Sequence, residues 1–261
     1  MHFDSTASFL SFFIKRTASI LINFPSELDH LWYVYMILGL YLFIPVLSPW
    51  VERASRQEMR IFLIIWIISL TVPFLKLIWP ELWGDCFWNP NNTVYYFSGF
   101  IGFLVSGAYA HKYLYDSGKS YIGVGIVLLI IGYIYSLQGY LYQVNNYPLP
   151  ATNVLAFFTD LHIAWNSTTI TIGLQTLGIF LILISLKVNK LPSVVTDFSR
   201  LSYGIYLCHI IILMFFYDHI FVSLEWSTPV KILCMGALTI CASYLVMKIL
   251  SNIPKVKDVV N

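Results

Sequence analysis

Asp29-His30-Leu31-Trp32-Tyr33-Val34-Tyr35, continued by Met36-Ile37-Leu38-Gly39-Leu40-Tyr41-Leu42-Phe43-Ile44-Pro45-Val46-Leu47-Ser48-Pro49-Trp50, decides the class of this protein. A mostly polar run ends at His30, and no charge occurs from Leu31 to Val51. About 20 apolar residues, each rising about 1.5 Å along a helix, cross the hydrocarbon core of a bilayer. The stretch reads as a membrane span, with a His, a Trp and two Tyr gathered where it meets the headgroups. Trp and Tyr are enriched at both membrane interfaces, so an aromatic belt explains Trp32, Tyr33 and Tyr35 taken singly.

Composition extends that reading to the whole chain. It is 58% hydrophobic and 11% charged, with a mean hydropathy of +0.74. Soluble domains carry about 25% charged residues. A polytopic membrane protein follows, and the net charge of +2 gives no reason to expect a nucleic-acid partner. Cys86, Cys208, Cys234 and Cys241 show no paired spacing, so neither a disulfide framework nor a metal site is expected. Met1-His2-Phe3-Asp4 lacks the basic start of a cleavable signal peptide.

Outward from the first span, residues 1–30 form an interfacial, extracytoplasmic segment. Its apolar patch, Phe9 to Phe24, is broken by Lys15 and Arg16 and suits an amphipathic helix lying on the membrane. Residues 31–261 form one membrane domain with further spans near Ile61–Ile78, Tyr95–Ala110, Tyr121–Leu141, Ile170–Leu186, Leu201–Phe216 and Pro229–Leu250. The expected fold is all-α, a polytopic transmembrane helix bundle of about seven spans, because helices satisfy their own backbone groups in lipid. Lys and Arg alternate with the spans. Arg53, Arg56 and Arg60 follow span one, Lys112 and Lys119 follow span three, and Lys187, Lys190 and Arg200 follow span five. Lys248, Lys255 and Lys257 mark the end, whereas the intervening connections hold no basic residue beyond the helix-end Lys76 and Lys231. The positive-inside rule then puts the C-terminus in the cytoplasm and His30 at the outer face.

Two words point to a family. His30-Leu31-Trp32-Tyr33-Val34-Tyr35, followed by Gly39-Leu40-Tyr41-Leu42 and Pro45, resembles a characteristic span of the acyltransferase-3 family of integral membrane acyltransferases. Phe198-Ser199-Arg200-Leu201-Ser202-Tyr203-Gly204-Ile205-Tyr206-Leu207-Cys208-His209 resembles the family's Ser-x-Gly-Ile-Tyr-x-x-His segment. Both occur in the right order, and the resemblance covers nearly all of the chain. It implies a multi-pass enzyme of the bacterial inner membrane, in contact with membrane lipids. Such an enzyme moves an acyl group, acetyl by expectation, from acyl-CoA to a hydroxyl of a cell-envelope carbohydrate, a polysaccharide O-acetyltransferase with no bound cofactor. The family opens with a span carrying Arg or Lys and then a catalytic His, and nothing here matches it. The resemblance therefore implies an N-terminally truncated member, lacking three spans and inactive alone, for which a separate N-terminal fragment would be a partner.

Acyl transfer needs a base for the acceptor hydroxyl and a donor to the developing oxyanion. His30 and His209 are the candidate catalytic residues, as polar contacts or proton relays. Trp32, Tyr33, Ser202 and Tyr206 are the candidate substrate-binding residues, since Trp and Tyr offer flat apolar faces with polar handles. Ser202, Tyr206 and His209 follow i, i+4, i+7 spacing and share a helix face. A polar stripe inside a membrane points into a bundle or a cavity, either as a functional site or as interhelical hydrogen bonding. Further outer candidates are Asp29, Asp85 with Trp88, Asp160 and His162 with Trp165, and Asp218-His219. A transporter or flippase for a lipid-linked sugar would show similar stripes, but its usual inverted repeats are not seen. A non-catalytic remnant is the third reading.

Overall fold

The structure, a computed structural model, describes residues 30–79, 92–115, 117, 120–146, 166–186 and 191–253. The interfacial helix expected before His30, and the outer candidates Asp29, Asp85, Trp88, Asp160, His162 and Trp165, lie outside the described residues. Seven α-helices are described: α1 Trp32–Arg53, α2 Arg56–Ile78, α3 Ile101–Tyr113, α4 Ile122–Asn146, α5 Ile170–Leu186, α6 Ser193–Phe216 and α7 Thr228–Leu250. A 3-10 segment, Asn92–Phe97, precedes α3, and one turn of π-helix, Tyr217–Phe221, ends α6. Helices at Trp32–Arg53, Arg56–Leu75, Ile122–Tyr142, Ser193–Phe221 and Thr228–Leu250 are long and apolar enough to cross a membrane. α5, at 17 residues, falls at the short end of the range that spans. No strand occurs among the described residues. The architecture is a helical membrane bundle, as the sequence suggested.

Span three differs from its expectation. A single helix over Tyr95–Ala110 is replaced by the 3-10 segment, a turn at Gly99 and the 13-residue α3. Gly99 adopts φ 80°, a left-handed conformation that side chains with a Cβ resist. Its carbonyl accepts from the Trp66 indole N–H at 3.0 Å. That bond satisfies a backbone group which hydrocarbon would leave unpaired. In α1, Pro45 and Pro49 do not end the helix, which continues to Arg53.

The chain divides into two units. One comprises residues 39–187 and the other residues 1–38 with 188–261. In the first, α4 and α5 pack antiparallel through glycine. A Cβ on Gly125 would fall 2.6 Å from the Gly178 carbonyl oxygen, and one on Gly132 would fall 2.6 Å from that of Thr171. Small residues let helix backbones approach this closely in membranes. α2 meets α3 through the fully buried Trp66, whose indole occupies the space a side chain on Gly102 would need. Ser55 and Glu58 form a capping box at the start of α2, with Glu58 N–H donating to Ser55 Oγ at 3.2 Å and Ser55 N–H to Glu58 Oε2 at 2.7 Å. Lys112 donates to the carbonyls of Val51, Glu52 and Ala54 at 3.4, 3.1 and 3.2 Å, so its charge closes the C-terminal end of α1.

In the second unit α6 and α7 pair around Leu201, Ile205 and Met247. Gly204 lies beneath the Met247 side chain. Asp197 accepts from Lys248 of α7 and from Arg200 Nη2 at 3.1 Å, which ties the first turns of α6 to the last turn of α7.

Candidate functional site

The second unit brings together two words that stand far apart in sequence. The first residues of α1, with the 3-10 turn at His30, lie against the middle of α6. The Tyr33 and Tyr206 ring centroids are 5.1 Å apart, and those of His30 and His209 are 6.1 Å apart, edge to face. Tyr33 is three residues after His30, and Tyr206 is three before His209. Residues at i, i+3 share a helix face, so two antiparallel helices match the pairs in reverse order. Tyr206 also stacks obliquely on His209 at 5.5 Å, which closes a cluster of four rings. His30, Tyr33, Tyr206 and His209 are each partly buried.

His209 Nδ1 hydrogen-bonds the Tyr206 carbonyl oxygen. A carbonyl only accepts, so this contact requires the hydrogen on Nδ1, and in the neutral ring Nε2 then presents its lone pair. That is the tautomer a general base needs. The Tyr206 hydroxyl is sealed from solvent; the Tyr33 backbone N–H lies close to its oxygen, but its own hydrogen meets no acceptor in good geometry among the described residues. A buried hydroxyl without a partner costs about 1–3 kcal/mol, which a substrate oxygen arriving within reach would offset.

The other expected residues fall differently. Trp32 is 42% exposed and meets the cluster at Tyr33, at 6.0 Å between centroids. Ser202 is exposed, one turn from the rings, and its hydroxyl donates to the Ser199 carbonyl of its own helix at 2.8 Å. Asp218 and His219 sit in the exposed π-helical turn, where His219 Nδ1 bonds the Phe215 carbonyl at 3.0 Å and its ring stacks on Phe215 at 4.6 Å. Among the described residues no group of three or more His, Cys, Asp or Glu could hold a metal ion.

Sequence reasoning missed three arrangements. Arg56 and Arg60, read only as orienting charges, both donate to the Tyr109 hydroxyl, at 3.3 and 2.9 Å. Lys248 and Asp197, 51 residues apart, pair between helices. Ser55-x-x-Glu58 was visible as a capping pattern, and it fixes where α2 begins.

Comparison with known proteins adds one finding. The family model of the acyltransferase domain matches residues 6–248. No curated protein and no solved structure matches the chain.

Proposed function

Because the chain belongs to the acyltransferase-3 family of membrane acyltransferases, we propose that it serves transfer of an acetyl group from acetyl-CoA to a hydroxyl of a cell-envelope carbohydrate. The observation that carries the assignment of residues is the convergence of His30, Tyr33, Tyr206 and His209. In this reading the acceptor sugar lies on the Trp32 and Tyr33 rings and directs a hydroxyl at His209 Nε2. That nitrogen takes the hydroxyl proton as the oxygen attacks the thioester carbonyl carbon. A C–O bond forms, the C–S bond breaks, and the proton passes to the departing sulfur to give coenzyme A. The Tyr206 hydroxyl, whose hydrogen has no acceptor among the described residues, donates to the carbonyl oxygen while it carries negative charge. His30, edge-on to His209, relays the proton or holds the acceptor. The enzyme is a bacterial inner-membrane protein with its C-terminus in the cytoplasm, on the Lys/Arg pattern.

The test measures acetyl esters on envelope glycans in cells expressing the chain, alone and together with the opening spans of a family member. Acetylation is expected in the second arm at least. His209→Ala and His209→Phe, the latter keeping bulk without either nitrogen, should each cut it by roughly tenfold or more, about 1.4 kcal/mol in barrier, with folded protein retained. Full acetylation in either variant removes His209 from the chemistry. No acetylation in either arm removes the reading itself.

A further inference from the structure

The strongest chemistry outside the ring cluster is at the basic ends of α2 and α3. The Tyr109 hydroxyl oxygen accepts from Arg56 Nε at 3.3 Å and from Arg60 Nε at 2.9 Å. Two cations thus share one neutral oxygen. The Arg56 guanidinium lies 5.5 Å over the Tyr113 ring, and Lys112 Nζ lies 5.5 Å from the same ring.

Among the described residues neither Arg56 nor Arg60 has a carboxylate partner, and the Glu58 carboxylate is occupied by the Ser55 N–H. Each guanidinium has five N–H donors, and among the described residues only Nε is hydrogen-bonded. The phenol of Tyr109 accepts twice, so its own O–H hydrogen remains to be donated. The patch is therefore rich in free donors, and no carboxylate among the described residues pairs with either arginine. Charge-assisted, forked hydrogen bonds from arginine match phosphate oxygens in geometry.

A second observation narrows the ligand. Tyr109 also lines an apolar cavity of about 130 Å³ that reaches among α2, α3, α4 and α5, past Leu63, Trp66 and Ala110. Its one hydroxyl besides Tyr109, that of Ser106, is already bonded to the Gly102 carbonyl at 2.7 Å. Neither arginine lines the cavity, but Tyr109 belongs to both, and a basic cluster joined in this way to an apolar slot suits an amphiphile. Basic pockets between transmembrane helices are where anionic headgroups bind.

We propose that Arg56, Arg60 and Tyr109 form a binding site for the phosphate of an amphiphilic ligand, supplied by an anionic phospholipid or by a soluble phosphate ester. The site shares no residue with the ring cluster and does not rest on acyl transfer.

The test uses the full chain, delipidated in neutral detergent. Binding of phosphatidylglycerol, of phosphatidylcholine and of coenzyme A is measured by native mass spectrometry, with thermal unfolding alongside. Phosphatidylglycerol should bind at least fivefold more tightly than phosphatidylcholine. The double variant Arg56→Gln/Arg60→Gln should abolish that preference, and Tyr109→Phe, which keeps the ring, should weaken it about twofold. If the double variant fails to fold, Arg60→Lys, which keeps the charge but not the fork, should still reduce binding several-fold. Displacement of the lipid by coenzyme A, with the same arginine dependence, assigns the site to a soluble phosphate ester. Lack of displacement assigns it to the lipid. Equal binding by wild type and folded arginine variants, for both ligands, overturns the proposal.

Discussion

The α4–α5 pair and the α6–α7 pair solve the same problem in opposite ways. α4 and α5 approach until glycine meets carbonyl: Gly125 and Gly178 face each other, and neither could carry a Cβ without a backbone shift. The Ser185 hydroxyl at one end is satisfied twice, donating to Leu181 O at 2.8 Å and accepting from Tyr121 N–H at 2.9 Å. In the other pair Gly204 lies under the flexible end of Met247, the buried Thr239 hydroxyl has no hydrogen-bond partner among the described residues, and the buried Ser243 hydroxyl has only the weak Cys208 thiol beside it. A closed interface with its polar groups matched behaves as scaffold. An interface that keeps polar groups unmatched gives up stability locally, and functional sites are where such costs concentrate.

Substitutions at the two glycines give the largest contrast. Gly178→Leu must push backbone away from backbone and should cost about 3 kcal/mol or more of folding stability, read as the unfolding midpoint in a denaturing detergent titration. Gly204→Ala meets only a mobile thioether and should cost about 1 kcal/mol or less in the same titration. Equal losses would erase the distinction between the pairs. Tyr206→Phe comes next. It should lower glycan acetylation about tenfold, roughly 1.4 kcal/mol, while leaving the unfolding midpoint unchanged or raised, because the hydroxyl it removes makes no well-formed hydrogen bond among the described residues. A fall in stability proportional to the fall in activity would make Tyr206 a packing residue. The smallest effect is expected at Ser243→Ala, which should stabilise the protein by about 0.5–1 kcal/mol by removing a buried hydroxyl that has no partner stronger than the Cys208 thiol. A loss of that size instead would mean that Ser243 has a partner in the membrane.

Much of this was readable from the residues. Hydropathy located the spans around α1, α2, α4, α6 and α7, because length and apolarity alone decide whether a helix crosses a bilayer. It failed at span three because a sliding apolar run is blind to a backbone dihedral. The break at Gly99 depends on Trp66, 33 residues earlier, and non-local contacts leave no periodic trace. Helical spacing placed Ser202, Tyr206 and His209 on one face but could not say which part of the chain that face meets. The structure brings His30 and Tyr33 to it and leaves Ser202 a turn away, bonded to its own helix. Arg56 and Arg60 were legible as charges, while their convergence on Tyr109 required the pairing of α2 with α3.

The broken third span also bears on how the protein is made. α3 has 13 residues, about 20 Å of helix, well short of the roughly 30 Å hydrocarbon core. A segment of that length is a poor substrate for insertion by itself. α2 is long enough to insert alone, it leaves the ribosome first, and it carries the indole that later receives the Gly99 carbonyl. The two helices should therefore enter the bilayer as a hairpin, with the hydrogen-bond donor already in place when the acceptor arrives.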